Sequence, residues 1–233
     1  MREIIKKMLL TTKNLFKSIL PTFIWSILRN LYIRCMSLVV GPIPVHLKDV
    51  FGFDIYQNSS DTINYKQFSG KRFSEVYEKT DGRIFYIMDK YISKGSIAID
   101  VGANIGLMTL AMSKLVGSGG SVYSFEPGPV SYGLLRRNVF TNALNGNIHI
   151  SDNALSDSEG NFNLFINLTG ESDNQLHKDL DSYNFKDEDS RPGFKVITKT
   201  LDSVILESDI DCNDVSFIKI DVEGHEPAVL RGA

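Results

Sequence analysis

The stretch Ile97-Ala98-Ile99-Asp100-Val101-Gly102-Ala103-Asn104-Ile105-Gly106 constrains the fold more than any other part of the chain. An apolar run of strand length enters a turn with glycines four residues apart, and helical periodicity follows at Leu107, Leu110, Ala111 and Leu115. A strand that turns sharply into a helix is the opening unit of an open α/β sheet. Gly102 supplies a backbone angle that a side chain would resist, and Gly106 lets the first helical turn approach its neighbours closely. Asn104 is expected near the helix N-cap, with its side chain accepting an orphan amide bond.

The pattern then repeats. Ser121-Val122-Tyr123-Ser124-Phe125 reads as a second strand, a helix is expected from about Val130 to Phe140, and Asn147-Ile148-His149-Ile150-Ser151 reads as a third strand. Strands alternating with helices of this length imply right-handed crossovers and a mostly parallel sheet. Ligands of such sheets bind beyond the carboxyl ends of the strands. Glu126-Pro127 closes the second strand about 20 residues after the glycine turn, where adenosine-binding α/β units carry a carboxylate for the ribose hydroxyls. Asn153, just past the third strand, is placed to contact an adenine ring or to form a simple Asx turn.

The turn differs from the dinucleotide fingerprint, being G-x-x-x-G rather than G-x-G-x-x-G, and an acid precedes it. Asp100 would repel a pyrophosphate and suit a ligand with an ammonium group, such as the methionine end of S-adenosyl-L-methionine. A nicotinamide-dependent oxidoreductase is the competing reading of the same strand, turn and acid. A non-catalytic membrane-associated α/β module is a third.

Lys219-Ile220-Asp221-Val222-Glu223-Gly224-His225-Glu226 carries the remaining chemistry. Strand alternation puts Phe217, Lys219, Asp221 and Glu223 on one face and Ile218, Ile220 and Val222 on the other. A buried ammonium needs a carboxylate, and Asp221, two residues along, is the nearest candidate for Lys219. Asp221 and Glu223 then sit at the strand's carboxyl end, suited to orient a sulfonium, accept a proton or help hold a divalent cation. His225 is an alternative base.

Together with Ala154-Leu155-Ser156-Asp157, Asn138, Asn142 and Thr200-Leu201-Asp202-Ser203, these motifs resemble the FkbM family of S-adenosylmethionine-dependent methyltransferases over about Gly95 to Ala233. The resemblance implies a Rossmann-like class I methyltransferase fold and O-methylation of a sugar, a glycan or a natural product. It assigns Asp100, Gly102, Asn104 and Gly106 to the methionine part, Glu126 to the ribose, and Asp221 and Glu223 to the transfer site. The family fold has seven strands, so the chain is expected to be incomplete at its C-terminus, ending in the helix after the fourth main strand with an apolar sheet edge exposed.

The segments before and between these motifs are less specific. Three regions are expected: a helical arm over 1–47, a strand and helical lead-in over 48–94, and the partial methyltransferase domain over 95–233. The net charge of −3 hides an asymmetry, because residues 1–48 hold eight Lys/Arg against one acid. That arm is amphipathic and interrupted at Pro21, which suits packing on the domain or a mate, or peripheral contact with anionic lipid. Its uncharged runs fall short of a bilayer span, and no cleavage site follows them, so a cytoplasmic location at or near the membrane surface is expected. A nucleic-acid partner is not expected. The two cysteines, Cys35 and Cys212, have no metal-ligand spacing. Val50–Tyr56 alternates like one short strand, and helical pieces on either side of Asp81-Gly82 lead into the first core strand. Leu155, Phe162, Leu164 and Ile166 suggest a hairpin about Asp157–Gly160, and the polar segment 169–194 a long excursion over an acceptor site.

Overall fold

The computed structural model describes residues 44–58, 65–77, 82–144, 146–165, 175–178 and 193–233. Most of the basic arm and of the polar segment 169–194 lie outside the described residues. The chain divides into two compact units, Met1–Val45 with Asn58–Ser60, and His46–Gln57 with Asp61–Ala233. Apart from Pro44, Val45 and Asn58, the described residues belong to the second.

Its centre is a four-stranded parallel sheet of β3 (Ile97–Val101), β4 (Ser121–Phe125), β5 (Ile148–Ser151) and β10 (Val215–Ile220), in spatial order β10-β3-β4-β5. Helix α2 (Leu107–Val116) joins β3 to β4, and α3 (Pro129–Thr141) joins β4 to β5. The order is that of a Rossmann-like half-sheet plus the first strand beyond it. The topology therefore reverses between β3 and β10, and the ligand crevice of such a sheet lies there, at the strands' carboxyl ends.

Alternation along these strands builds two cores. Ala98 and Val122 pack with Leu110, Met112 and Leu135 on the α2 and α3 side, with Phe217 against them. Ile99, Val101 and Phe125 pack on the other side with Leu155, Leu201, Val204 and Val229. Leu201 and Val204 come from α4 (Leu201–Glu207), and Val229 from α5 (Glu226–Arg231). Both faces of the sheet are covered, which is why its strands are nearly continuous apolar runs.

The expected single strand at Val50–Tyr56 is in fact the turn region of two strands, β1 (Pro44–Val50) and β2 (Phe53–Asn58). Phe51 and Gly52 between them have φ of 55° and 90°, the pair of left-handed angles that a two-residue type I′ hairpin requires. The strain of a left-handed Phe, about 1–2 kcal/mol, is offset by burying its ring, about 2–3 kcal/mol. That ring stacks among Phe68, Phe73 and Phe85 at centroid distances of 4.7–5.0 Å. Phe85 lies on α1 (Arg83–Tyr91), the helix that leads into β3.

Two asparagines hold the hairpin to α3. Asn142 accepts from Asp54 N at 2.9 Å and donates to Asp54 O at 2.8 Å. Asn138 does the same to Tyr56, at 2.7 and 3.0 Å, and also donates to Ile105 O at 2.7 Å. Four residues apart on one helix face, the two side-chain amides imitate a neighbouring strand against alternate residues of β2. Asn138 thereby ties the hairpin to the glycine turn.

The expected hairpin about Asp157–Gly160 does not form. β6 (Ala154–Leu155) pairs parallel with β9 (Gly193–Lys199), while β7 (Gly160–Phe165) pairs antiparallel with the opposite edge of β9 and with β8 (Gln175–Lys178). The alternation of Phe162 and Leu164 is that of a strand, but their partner is distant Val196, with which they form a small core. β8 falls within the stretch expected to be a plain connection.

Candidate active site

The glycine turn is shaped by its neighbours. Gly102 has φ of 75°, and a Cβ there would stand 2.0 Å from the Asp221 carbonyl oxygen. That backbone-to-backbone fit lets Asp221 N donate to Val101 O at 3.1 Å, so β10 closes against β3 where the crevice begins. Gly106 has φ of 92°, and its Cβ would meet Leu135 of α3 at 2.6 Å. The expected N-cap at Asn104 is corrected: Gly106 is the cap residue of α2 and no side chain caps that helix. Gly106 N bonds to Ala103 O at 2.9 Å, an extra turn that delays the helix. Asn104, with φ of 50°, contributes its backbone N–H elsewhere.

That N–H goes to Glu126. Gly102 N and Ala103 N both donate to Phe125 O at 3.0 Å, and Asn104 N donates to Glu126 Oε2 at 2.8 Å. Glu126 Oε1 accepts from Gly128 N at 2.8 Å, and Glu126 N donates to Ser151 O at 3.0 Å. The end of β4 is thus bonded on both sides, to the turn after β3 and to β5. Glu126 is 7% exposed. Burial pushes its carboxyl up to about 7, although the Gly128 and Asn104 amides and the Lys219 ammonium favour the ionised form.

Beneath the turn lies a polar row that parallel register assembles. Lys219 pairs with Asp100, and Asp100 with Ser124, across β10, β3 and β4. Asp100, Ser124 and Thr109 of α2 are all fully buried. Thr109 donates to Asp100 Oδ2 at 2.7 Å and shares a 3.0 Å hydrogen bond with Ser124. Lys219 Nζ donates to Gly102 O at 2.8 Å and stands 3.2 Å from Asp100 Oδ1, an ion pair without the alignment of a hydrogen bond. Asp221 Oδ2 is 3.6 Å away, so Asp100 and not Asp221 is the nearest carboxylate to Lys219. The reason is spacing: a register partner is about 4.8 Å away across a sheet, whereas two residues along a strand span about 6.6 Å. Burial disfavours the Lys219 ammonium, but Asp100 and Asp221 more than offset this and raise its pKa.

The other expected site residues are more dispersed. The Asp221 side chain is 65% exposed at the mouth of the crevice. Glu223 is exposed and has φ of 52° within the loop after β10. That loop is closed by Glu226, whose Oε1 accepts from Val222 N at 3.0 Å and Gly224 N at 3.3 Å. Those amides hold the Glu226 carboxyl below its usual range. His225 Nε2 lies 2.9 Å from the hydroxyl of buried Ser156, next to β6. Asn153 donates its backbone N–H to Ser151 Oγ at 3.2 Å, in a turn beyond β5. Thus Asp100, Gly102, Asn104, Gly106, Glu126 and Asp221 converge on the ends of β3, β4 and β10, while Asn153 lies one strand further along. Sequence reasoning missed Thr109, Ser124, Ser156 and the loop-closing role of Glu226. A polar residue interrupting an apolar strand, as at Ser124, was the available signal. Among the described residues no group of three or more His, Cys, Asp or Glu could hold a metal ion.

Methyltransferase sdnD of Sordaria araneosa is 33% identical over 153 residues, which cover 58% of this chain and 59% of that protein. The chain therefore spans less than two thirds of that relative's length. Among solved structures, Methyltransferase FkbM from Methylobacillus flagellatus KT is 18% identical, with 59% of this chain and 28% of that one covered and a TM-score of 0.37. An S-adenosylmethionine-dependent O-methyltransferase from Thermotoga maritima is 27% identical over 33% of this chain and 28% of its own, with a TM-score of 0.29. The family model described as the Methyltransferase FkbM domain matches residues 100–233, more than half of the chain, and the chain belongs to that family.

Proposed function

We propose that the crevice binds S-adenosyl-L-methionine and that the protein transfers its methyl group to an acceptor hydroxyl. One observation carries the choice of donor. A dinucleotide site presents the amides of its glycine turn to a pyrophosphate, whereas here Gly102 N, Ala103 N and Asn104 N are taken by Phe125 O and Glu126. The surroundings offer carboxylates in place of donors, which suits a cationic ligand with a ribose diol and opposes a dianion. Gly102, Asn104 and Gly106 of the turn would border the methionine part, whereas Asp100, expected there from the sequence, is fully buried beneath the turn and paired with Lys219; Glu126 in its ionised form would accept from the ribose hydroxyls.

When bound, the cofactor supplies an electrophilic sulfonium methyl. The chain's part is then alignment and proton removal. Asp221 is the candidate base, because it is a solvent-accessible carboxylate at the crevice mouth. His225 fits less well, since its Nε2 is engaged with Ser156. For the acceptor we infer a small molecule or glycan bearing an alcohol, the class suggested by the family resemblance. A general base is what such an unactivated hydroxyl needs.

Calorimetric titration with S-adenosyl-L-homocysteine and, separately, with NAD tests the donor. Binding of the first and not the second is expected, and the reverse would overturn the assignment. Methyl transfer to a panel of sugar and polyol acceptors, compared with Asp221→Asn, tests the acceptor and the base. An unchanged rate in that variant would remove Asp221 from the role.

A further inference from the structure

The Lys219 ammonium touches both sides of the topological reversal. Its bonds to Gly102 O and Asp100 reach the β3 side, and its contact with Asp221 reaches the carboxylate assigned above to proton removal. The charges are arranged asymmetrically. Asp100 is fully buried and its other oxygen is held by Thr109, so Lys219 and Asp100 form a neutral pair inside the fold. The outstanding negative charge of the trio falls on Asp221, whose side chain is 65% exposed. Backbone bonds run the same way: Asp221 N bonds to Val101 O, and the Asp221 carbonyl oxygen occupies the space where a Gly102 side chain would stand. A shift of the turn is therefore transmitted to Asp221 through both its side chain and its main chain.

We propose that Lys219 is a positioning residue that couples the glycine turn to Asp221, so that filling the donor crevice orders the carboxylate that serves the acceptor. This rests on the donor reading given above. A merely structural ion pair would stabilise the fold without linking the two segments, and the two roles differ in what ligand binding does to the loop after β10.

Hydrogen exchange on the full chain distinguishes them. The amides of Asp221, Val222, Gly224 and His225 are hydrogen-bonded to Val101 O, to Glu226 or within the loop, so each reports its order. With saturating S-adenosyl-L-homocysteine, we expect about tenfold slower exchange both in 100–106 and in 221–225. In Lys219→Met the slowing in 221–225 should shrink to the part that the main-chain contacts transmit, while that in 100–106 persists in full. Since that variant leaves Asp100 buried without its partner, the neutral double variant Asp100→Asn/Lys219→Met provides a fold-preserving version of the same test. If 221–225 is slowed equally in the double variant and the wild type, or is not slowed in the wild type while 100–106 is, the coupling is refuted and the donor reading stands. If the wild type does not bind the ligand at all, the donor reading falls and this inference falls with it.

Discussion

Replacing Gly102 by alanine tests whether the close approach of β10 to the turn holds the crevice together. The backbone there has φ of 75°, which costs an L-residue about 1–2 kcal/mol. The new Cβ would lie 2.0 Å from Asp221 O, about 1.4 Å inside ordinary contact. The obstruction is backbone, not a flexible side-chain tip, so β10 must retreat. Retreat strains or breaks the Asp221 N to Val101 O bond and the Lys219 bond to Gly102 O, each contributing about 0.5–1.5 kcal/mol. Gly102→Ala should therefore destabilise by about 2–5 kcal/mol. Gly95→Ala is the matched control, because its φ is 79° and nothing lies within 4 Å of its Cβ, so the same backbone strain applies alone, about 1–2 kcal/mol. Urea unfolding of the two variants and the wild type, with m values compared, provides the measurement. A difference between the variants below about 1 kcal/mol would refute the argument that packing against Asp221 shapes this turn.

Glu126 gives a pH signature. Its folded pKa of about 7 lies above its ordinary 4.5, so the native state binds the proton more tightly; its contribution is fully present below 4.5 and is lost as pH rises through 7. Stability should fall over that window by up to about 3 kcal/mol, a slope that Glu126→Gln should flatten in urea titrations at several pH values. S-adenosyl-L-homocysteine affinity should move oppositely, strengthening in calorimetry from pH 6 to 8 as the ionised acceptor forms, with no such change in Glu126→Gln. Asn138→Ala should cost about 2–4 kcal/mol by chemical denaturation, because it strands Tyr56 N, Tyr56 O and Ile105 O in a part-buried seam. Gly133→Ala should stabilise by about 1 kcal/mol in the same assay, since the site is an exposed helix interior with open space around its Cβ.

Among the described residues no helix is long and apolar enough to cross a membrane. What the sequence itself determined is the half-sheet and the content of its rim. The β3-turn-α2 unit, the two strands after it and the charged strand β10 were legible because each is written in local periodicity and in glycines at fixed offsets. So was the position of Asp100 within β3 and of Glu126 and Asp221 just past β4 and β10, because each acid interrupts or ends an apolar run.

What depends on register between distant segments could be decided only by the tertiary structure. Lys219 meets Asp100 and not Asp221 as its nearest partner because β10 enters the sheet beside β3, a pairing of residues more than 100 positions apart. Thr109 and Ser124 join that row for the same reason, each being unremarkable in its own segment. β6 and β7 look like two arms of a hairpin until β9 arrives between them. The turn's amides, which locally resemble a phosphate cradle, are consumed by Phe125 and Glu126 from the neighbouring strand. A side chain's type and its spacing within one element are local information, whereas its partner is set by the packing of strands that the chain brings together from afar. For this protein that difference separates a glycine turn whose amides would be open to a phosphate from one whose amides are already bonded within the fold.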